Sequence, residues 1–390
     1  MGEQNKLTEY WDFDIGLTYL NHGSFGACPK SVLERQQFLQ RELERQPMDF
    51  LVRKLEDAHL KVREHLSSFV GCSAGEIVFV NNATEAVNTV LRSCSFEPED
   101  ELLVTSHTYQ ACRNAADIIA ESAGAKVVVA KIPFPCSSEE AVIAAIEQVV
   151  TSRTKLALID HITSPTALVL PIERIVRLLE ERGIMTMVDG AHAVGMLPLE
   201  LKRLGASFYT SNCHKWLCAP KSSAFLYVKP ELQSMVRPLS LSHAASLPDS
   251  DASRFQKEFG WPGTYDPTPF LVVPDCLEFI SSETCDNAEQ WMERNRQATL
   301  QARKTLLSEL KIPEPCPESM LGSMFAIPLK PGDSMTLQKT LLVDYNIEVV
   351  VSPWPNENSQ LLRVSMQAYN SQADIKKLLA ALDELGLVGN

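Results

Sequence analysis

The stretch Tyr209-Thr210-Ser211-Asn212-Cys213-His214-Lys215-Trp216 sets one lysine among small polar residues, with a histidine before it and a tryptophan after it. It follows a short apolar, β-prone run, Ala206 to Tyr209. Upstream, Val188-Asp189-Gly190-Ala191-His192 is an apolar strand ending in an acid. A crowded lysine can hold an aldehyde as a Schiff base. A buried acid one strand away can keep a pyridine nitrogen protonated, so that the ring draws electrons from a bound amine. Lys215 and Asp189 together therefore point to pyridoxal phosphate, against the alternative of an ordinary surface lysine. Asn82-Ala83-Thr84-Glu85 lies between a strand and a helix. A helix start offers free N–H groups and a positive dipole end to a phosphate. Thr84 would otherwise be an N-cap. Tyr19 to Gly26, with two glycines, reads either as a loop that approaches a ligand closely or as a plain turn.

These residues need a scaffold. Strands are expected at Glu76–Val80, Leu102–Val104, Lys126–Val129, Leu156–Ile159 and Met185–Val188, with helices from Ala86 onward and at Ala111–Ser122, Ser138–Val150 and Ile172–Glu181. The alternation predicts an α/β layer with a mostly parallel sheet. Ligands in such sheets bind beyond the carboxyl ends of the strands. Thr84, Tyr109, Ser164, Asp189, His192 and Lys215 all fall there. Ser31 to Val70 reads as two helices parted at Pro47. Past Asp266 the pattern changes. A long helix at Glu289–Leu310 precedes strands at Ser323–Ile327, Glu348–Val351 and Leu361–Val364, with helices at Ser334–Val343 and Ser371–Leu385. This is the pattern of a small α+β domain.

The 390 residues suffice for two cores. A net charge of -13 disfavours a general nucleic-acid partner. No stretch is apolar enough to span a membrane, and the polar, acidic N-terminus lacks a signal-peptide pattern, so the expected location is cytoplasmic. The ten cysteines are expected to be reduced. A zinc site from His192, His214, Cys213 and Cys218 is a weaker alternative, because Cys213 and Cys218 do not form a C-x-x-C and no second pair completes them. The metal expectation is therefore none.

Asn82-Ala83-Thr84-Glu85-Ala86, Val188-Asp189-Gly190-Ala191-His192, His214-Lys215-Trp216 and Arg363-Val364-Ser365-Met366-Gln367-Ala368-Tyr369-Asn370, in this order and spacing, resemble the class V aminotransferase family of fold-type I pyridoxal phosphate enzymes. The stretch from His161 to Pro171, the opening Leu20-Asn21-His22-Gly23 and the later Gly263-Thr264-Tyr265-Asp266 look most like its isopenicillin N epimerase branch. The resemblance covers nearly the whole chain. It implies a large cofactor domain over 18–265 with a seven-stranded type of sheet. It also implies a small domain over 266–390, an arm over 1–17 packed on that domain, and a homodimer with shared active sites.

It further implies residue roles. Lys215 would carry the cofactor and shuttle the α-proton, and Asp189 would pair with the ring nitrogen. His192 and Ser164 would sit near the phenolic oxygen, and Tyr109 would stack on the ring. Ala83, Thr84, Asn212 and His214 would hold the phosphate, with Thr264 reaching the phosphate of a neighbouring subunit. Arg363 would take the substrate carboxylate in a bidentate fork, with Asn21 and His22 on the substrate side. Two departures stand out. Ser222 occupies a position where relatives usually carry glycine, and Tyr265 one where they often carry arginine.

The reaction remains open between epimerisation, C–S β-lysis and transamination of an amino acid. Epimerisation needs a second proton donor opposite Lys215, from among Tyr109, His107 and His22. A desulfurase needs a mobile nucleophilic cysteine in the small domain. Tyr345 to Asn370 contains none, and Cys316 lies too early. A non-catalytic binding module is disfavoured by Lys215 and Asp189. The leading expectation is an enzyme like isopenicillin N epimerase, with the C–S lyase second.

Overall fold

The computed structural model describes residues 6–248, 251, 254–283 and 287–388. The first strand, β1 (Thr18–Tyr19), lies apart from the main sheet. That sheet comprises β2 (Ile77–Val80), β3 (Glu101–Thr105), β4 (Lys126–Ala130), β5 (Thr154–Asp160), β6 (Met185–Asp189), β7 (Phe208–Asn212) and β8 (Ala224–Val228). Its order is β2-β8-β7-β6-β5-β3-β4. Only β8 runs antiparallel to its neighbours β2 and β7. The fold is α/β with a mostly parallel seven-stranded sheet, as expected.

Both faces of this sheet are covered. Val78, Leu102, Leu156, Met187 and Phe208 belong to one core, and their chain neighbours Ile77, Leu103, Ala157, Val188 and Tyr209 to the other. Two-sided burial explains why the strands read as continuous apolar runs rather than alternating ones. The carboxyl ends of β2, β3, β5, β6 and β7 share one edge. There β2 feeds the helix Ala83–Ser93, and β3 leads through Tyr109 into the helix Gln110–Ala123. The N-cap of the first helix is Asn82 rather than Thr84, because the Asn82 Oδ1 accepts the Glu85 N–H at 2.9 Å. This frees Thr84 for other work.

The C-terminal part forms a three-stranded antiparallel sheet. It is built from β9 (Met324–Leu329), β11 (Val350–Ser352) and β12 (Gln360–Ser365) in the order β11-β12-β9. The single strand expected at Glu348–Val351 is split. Its first part, β10 (Ile347–Glu348), pairs in parallel with β1 instead. The long helix Ala288–Leu310 and the final helix Gln372–Glu384 pack together beside this sheet. Trp11 is buried against Trp291, at 6.5 Å between ring centroids, and against Tyr369, at 4.9 Å. Burying a large aromatic side chain contributes roughly 1.5–3 kcal/mol, so this indole fixes the N-terminal segment on the C-terminal elements. Among the described residues, no helix is long and apolar enough to cross a membrane.

Candidate active site

β7 ends at Asn212, and the chain turns sharply there. Lys215 N–H bonds to the Asn212 carbonyl at 3.3 Å and Cys218 N–H to the Lys215 carbonyl at 3.0 Å. The turn is pressed from outside by Gly26, whose φ is +69° and whose Cβ, if present, would collide with the His214 carbonyl. The Lys215 amine lies 3.3 Å from His192 Nε2. Burial is the main force lowering this amine to about 7, and the Arg363 charge adds to it. Near neutrality much of Lys215 is therefore an uncharged nucleophile and base.

His192 is tied on its other side, where Nδ1 accepts the Trp216 indole N–H at 3.4 Å. In the neutral ring Nε2 then carries the hydrogen, which points at the lysine lone pair. Burial, followed by the Lys215 and Arg363 charges, holds His192 well below the usual histidine range. This histidine can donate a hydrogen bond but does not readily become a cation.

Asp189 ends β6 beneath the lysine. Its Oδ1 accepts the Ala191 N–H at 3.0 Å, and its Oδ2 accepts the Cys112 thiol at 3.4 Å. Gly190 must be glycine because a Cβ there would enter the Tyr209 ring. Across the cavity, Arg363 on β12 is buried. Its Nη1 donates to the Ser164 carbonyl at 2.7 Å and the Ser164 hydroxyl at 3.2 Å, and its Nη2 donates to the Ser24 hydroxyl at 2.9 Å. Its Nε is buried without a partner among the described residues. An unpartnered, buried cationic donor is costly, and a carboxylate would satisfy it.

These groups surround one cavity of about 410 Å³. Ala83, Thr84, Tyr109, Ser164, Asp189, His192, Asn212, His214, Lys215 and Arg363 all line it. Asn21, His22 and Thr264 do not. His22 lies behind the lysine turn, where its Nε2 bonds the Lys215 carbonyl at 2.9 Å and its Nδ1 bonds the Tyr369 hydroxyl at 3.0 Å. Burial lowers His22 to about 3, so it is a neutral strut under the lysine and does not touch the substrate space. Asn21 accepts the Ser24 hydroxyl at 2.5 Å and acts on Arg363 through that serine. Thr264 is exposed on the surface. His107 is locked between Thr166 and the Ile132 carbonyl and packs on Trp354. Gly23 and Ser24, from the Tyr19–Gly26 loop, line the cavity, as do Asp160 and Lys221, to which the sequence assigns no role.

The family description Aminotransferase class-V matches residues 19–378. The chain belongs to the class-V aminotransferase family. It is 32% identical over 385 residues to an isopenicillin N epimerase of Streptomyces clavuligerus, covering 95% of this chain and 96% of that one. It is 29% identical over 416 residues to a putative L-cysteine desulfhydrase 1 of Oryza sativa subsp. japonica, covering 97% and 85%. The fold is shared with the cysteine desulfurase CsdA of Escherichia coli, at a TM-score of 0.77 and 20% identity over 98% of both chains.

The cofactor of class-V enzymes, pyridoxal phosphate, fits the residues present. Its phosphate would be held at the start of the helix Ala83–Ser93. There Ala83 N–H is held by Asn212 Oδ1 at 2.8 Å and Glu85 N–H by Asn82, while Thr84 lines the cavity between them. The Lys221 ammonium and His214 stand beside it, His214 Nδ1 being bound to the Ser223 carbonyl at 2.9 Å. Asp189, which lines the same cavity, would hold the ring nitrogen. Ser222 adopts φ +65° at the cavity wall. The serine therefore keeps the left-handed backbone and carries its strain. Tyr265 points away from this cavity and bonds His59 and the Gly260 carbonyl, each at 3.3 Å. Among the described residues no group of three or more His, Cys, Asp or Glu side chains is placed to hold a metal.

Proposed function

We propose that the chain is a pyridoxal phosphate enzyme working at the α-carbon of an amino acid or small amino-acid-containing compound, in the manner of isopenicillin N epimerase. One observation carries this reading. A buried lysine amine, about half uncharged near pH 7, faces a buried arginine with an unmet N–H across a cavity floored by an acid. When bound, the cofactor supplies an aldehyde for the substrate amine and an electron-poor ring that weakens bonds at the α-carbon. Lys215 Nζ takes and returns the α-proton, and His192 Nε2–H holds that amine in place. Asp189 holds the proton of the ring nitrogen. Arg363 binds the α-carboxylate, using Nε and the outer edge of its fork.

Epimerisation also needs a proton donor opposite Lys215. Of the three candidates only Tyr109 lines the cavity, so it takes that role in this reading. We further propose a homodimer in which the exposed Thr264 of one copy completes the phosphate site of the other. The division into 18–265 and 266–390, with an arm over 1–17, belongs to the same proposal.

A second reading is a C–S lyase of a cysteine derivative. It is supported by the similarity to the rice desulfhydrase and by the cavity lining, which contains no cysteine to accept sulfur. Sulfur would then leave in free form. The deciding experiment incubates holoenzyme with L-amino acids in deuterium oxide. α-Deuteration with appearance of the D-isomer supports epimerisation, whereas pyruvate with sulfide supports the lyase. Absence of a visible cofactor band in protein supplied with pyridoxal phosphate contradicts both.

A further inference from the structure

Asp160 and Asp189 end adjacent parallel strands and are direct partners in register. In a parallel pair the partner strand lies about 4.8 Å away and paired side chains share a face, so two carboxyls stand side by side. Both are buried, at 3% and 5% exposure. Asp189 has both oxygens engaged, by Ala191 N–H and the Cys112 thiol. Asp160 is different. It lines the cavity, and its Oδ2 is buried with no partner among the described residues. A carboxylate oxygen in that condition is costly, and a neutral acid is less so. Two adjacent buried carboxyls do not readily both ionise.

The surroundings favour one proton on the pair. Asp189 from β6 faces Asp160, and Cys112 stands over both from the helix Gln110–Ala123. Thr108 and the Tyr109 N–H bond to Asp160 and oppose its protonation. Lys215 is the cation that acts on Asp189, and the Tyr209 phenol lies below it. Burial, and then the Asp189 charge, drive Asp160 well above the ordinary carboxyl range, and burial raises Asp189 as well.

We infer that Asp160 is a positioning residue that stores, as a neutral acid beside Asp189, the proton required by the ring nitrogen of the bound cofactor. This rests on the pyridoxal phosphate reading above. The balance is simple. An O–H bond of the pair breaks and an N–H bond forms at the ring nitrogen. The pair passes from one negative charge to two and the ring from neutral to cationic. The proton is relayed by Asp189, and none is drawn from solvent for that nitrogen. The new cation lying against two carboxylates then stabilises the doubly ionised pair.

The test counts protons. Pyridoxal phosphate is titrated into apo wild-type and Asp160→Asn protein at alkaline pH, above the point at which the free pyridinium loses its proton, so that the free ring nitrogen and a lone Asp189 are both unprotonated. Calorimetry in buffers of different ionisation enthalpy gives the protons exchanged. The amide keeps the shape and holds no acidic proton, so the variant should take up about one more proton per cofactor than wild type. Infrared difference spectra of wild-type protein read the same event without a variant, as loss of a protonated-carboxyl C=O stretch on binding. Equal proton counts, or no such loss, overturn the proposal while leaving the cofactor reading intact. If wild-type protein binds no pyridoxal phosphate, the cofactor reading fails and this inference falls with it.

Discussion

The Lys215 amine and the Trp216 indole grip the two nitrogens of one imidazole: Nζ lies 3.3 Å from His192 Nε2 and the indole N–H 3.4 Å from Nδ1. The tryptophan thereby fixes which nitrogen of His192 carries its hydrogen, and so selects the uncharged lysine. A protonated lysine would meet an N–H instead of a lone pair.

The rate at which apo protein takes up pyridoxal phosphate should fall as pH drops through about 7, the value to which burial lowers the Lys215 amine. Trp216→Phe frees Nδ1 to carry the hydrogen, so that Nε2 can accept from an ammonium. The midpoint should then rise by roughly half to one pH unit, the equivalent of one hydrogen bond of about 1 kcal/mol. An unchanged or lower midpoint refutes the role of the indole. The same lysine affects folding. Its unfolded value is the ordinary 10.5, so the unfolded chain binds more protons than the folded one between about 7 and 10.5. Its contribution to apo stability should therefore rise with pH across that window.

Arg363 meets Ser164 and Ser24 with separate arms of its fork. An ammonium on a flexible stem cannot reproduce this geometry. Arg363→Lys should weaken binding of α-amino acids roughly 10- to 100-fold, equivalent to about 1.4–2.7 kcal/mol. Cofactor affinity should change less than about twofold, because the arginine stands on the substrate side. Spectral titration of holoenzyme with amino acids, beside a cofactor-binding isotherm, separates the two.

Tyr109→Phe tests the choice between faces of the α-carbon. If the phenol is the second acid, inversion should slow by roughly 100-fold or more, while Lys215 still exchanges the α-proton for deuterium with retention. Loss of both in parallel would show that Tyr109 serves only to seat the ring.

Ser222 sits at φ +65°. A side chain in the left-handed region costs roughly 1–2 kcal/mol. Glycine recovers this, but loses about 0.5–1 kcal/mol through the greater freedom of the unfolded chain. Ser222→Gly should therefore stabilise the protein by about 0.5–1 kcal/mol, read as a higher denaturant midpoint at unchanged slope. Destabilisation would mean that the serine hydroxyl does compensating work at the cavity wall.

The chemistry was legible in the sequence where residue type and strand end coincide. Val188-Asp189 and the turn around Lys215 announce an acid and an amine at one edge of a sheet, and the structure brings both to one cavity. β8 is not marked in the sequence, because an antiparallel insertion has no flanking helix to announce it. The Asp160–Asp189 pairing depends on strand register, which apolar runs buried on both faces do not specify. The Ser24–Arg363–Ser164 link joins three distant parts of the chain, and only packing reveals it. His22 illustrates the converse. Its type and position suggested contact with substrate, but a buried, neutral imidazole has its nitrogens taken up by Tyr369 and the lysine backbone.

Residues 18–23 and 347–369 meet at the lysine. β1 pairs with β10, Gly23 N–H bonds the Ser365 hydroxyl at 3.1 Å, and His22 bridges Tyr369 to the Lys215 carbonyl. In the sequence Lys215 precedes both Arg363 and Tyr369. Without residues 363–369 the His22 strut lacks its Tyr369 partner and the cavity lacks the Arg363 guanidinium, so a chain cut short before them should leave the lysine turn unbraced and the substrate side of the cavity unformed.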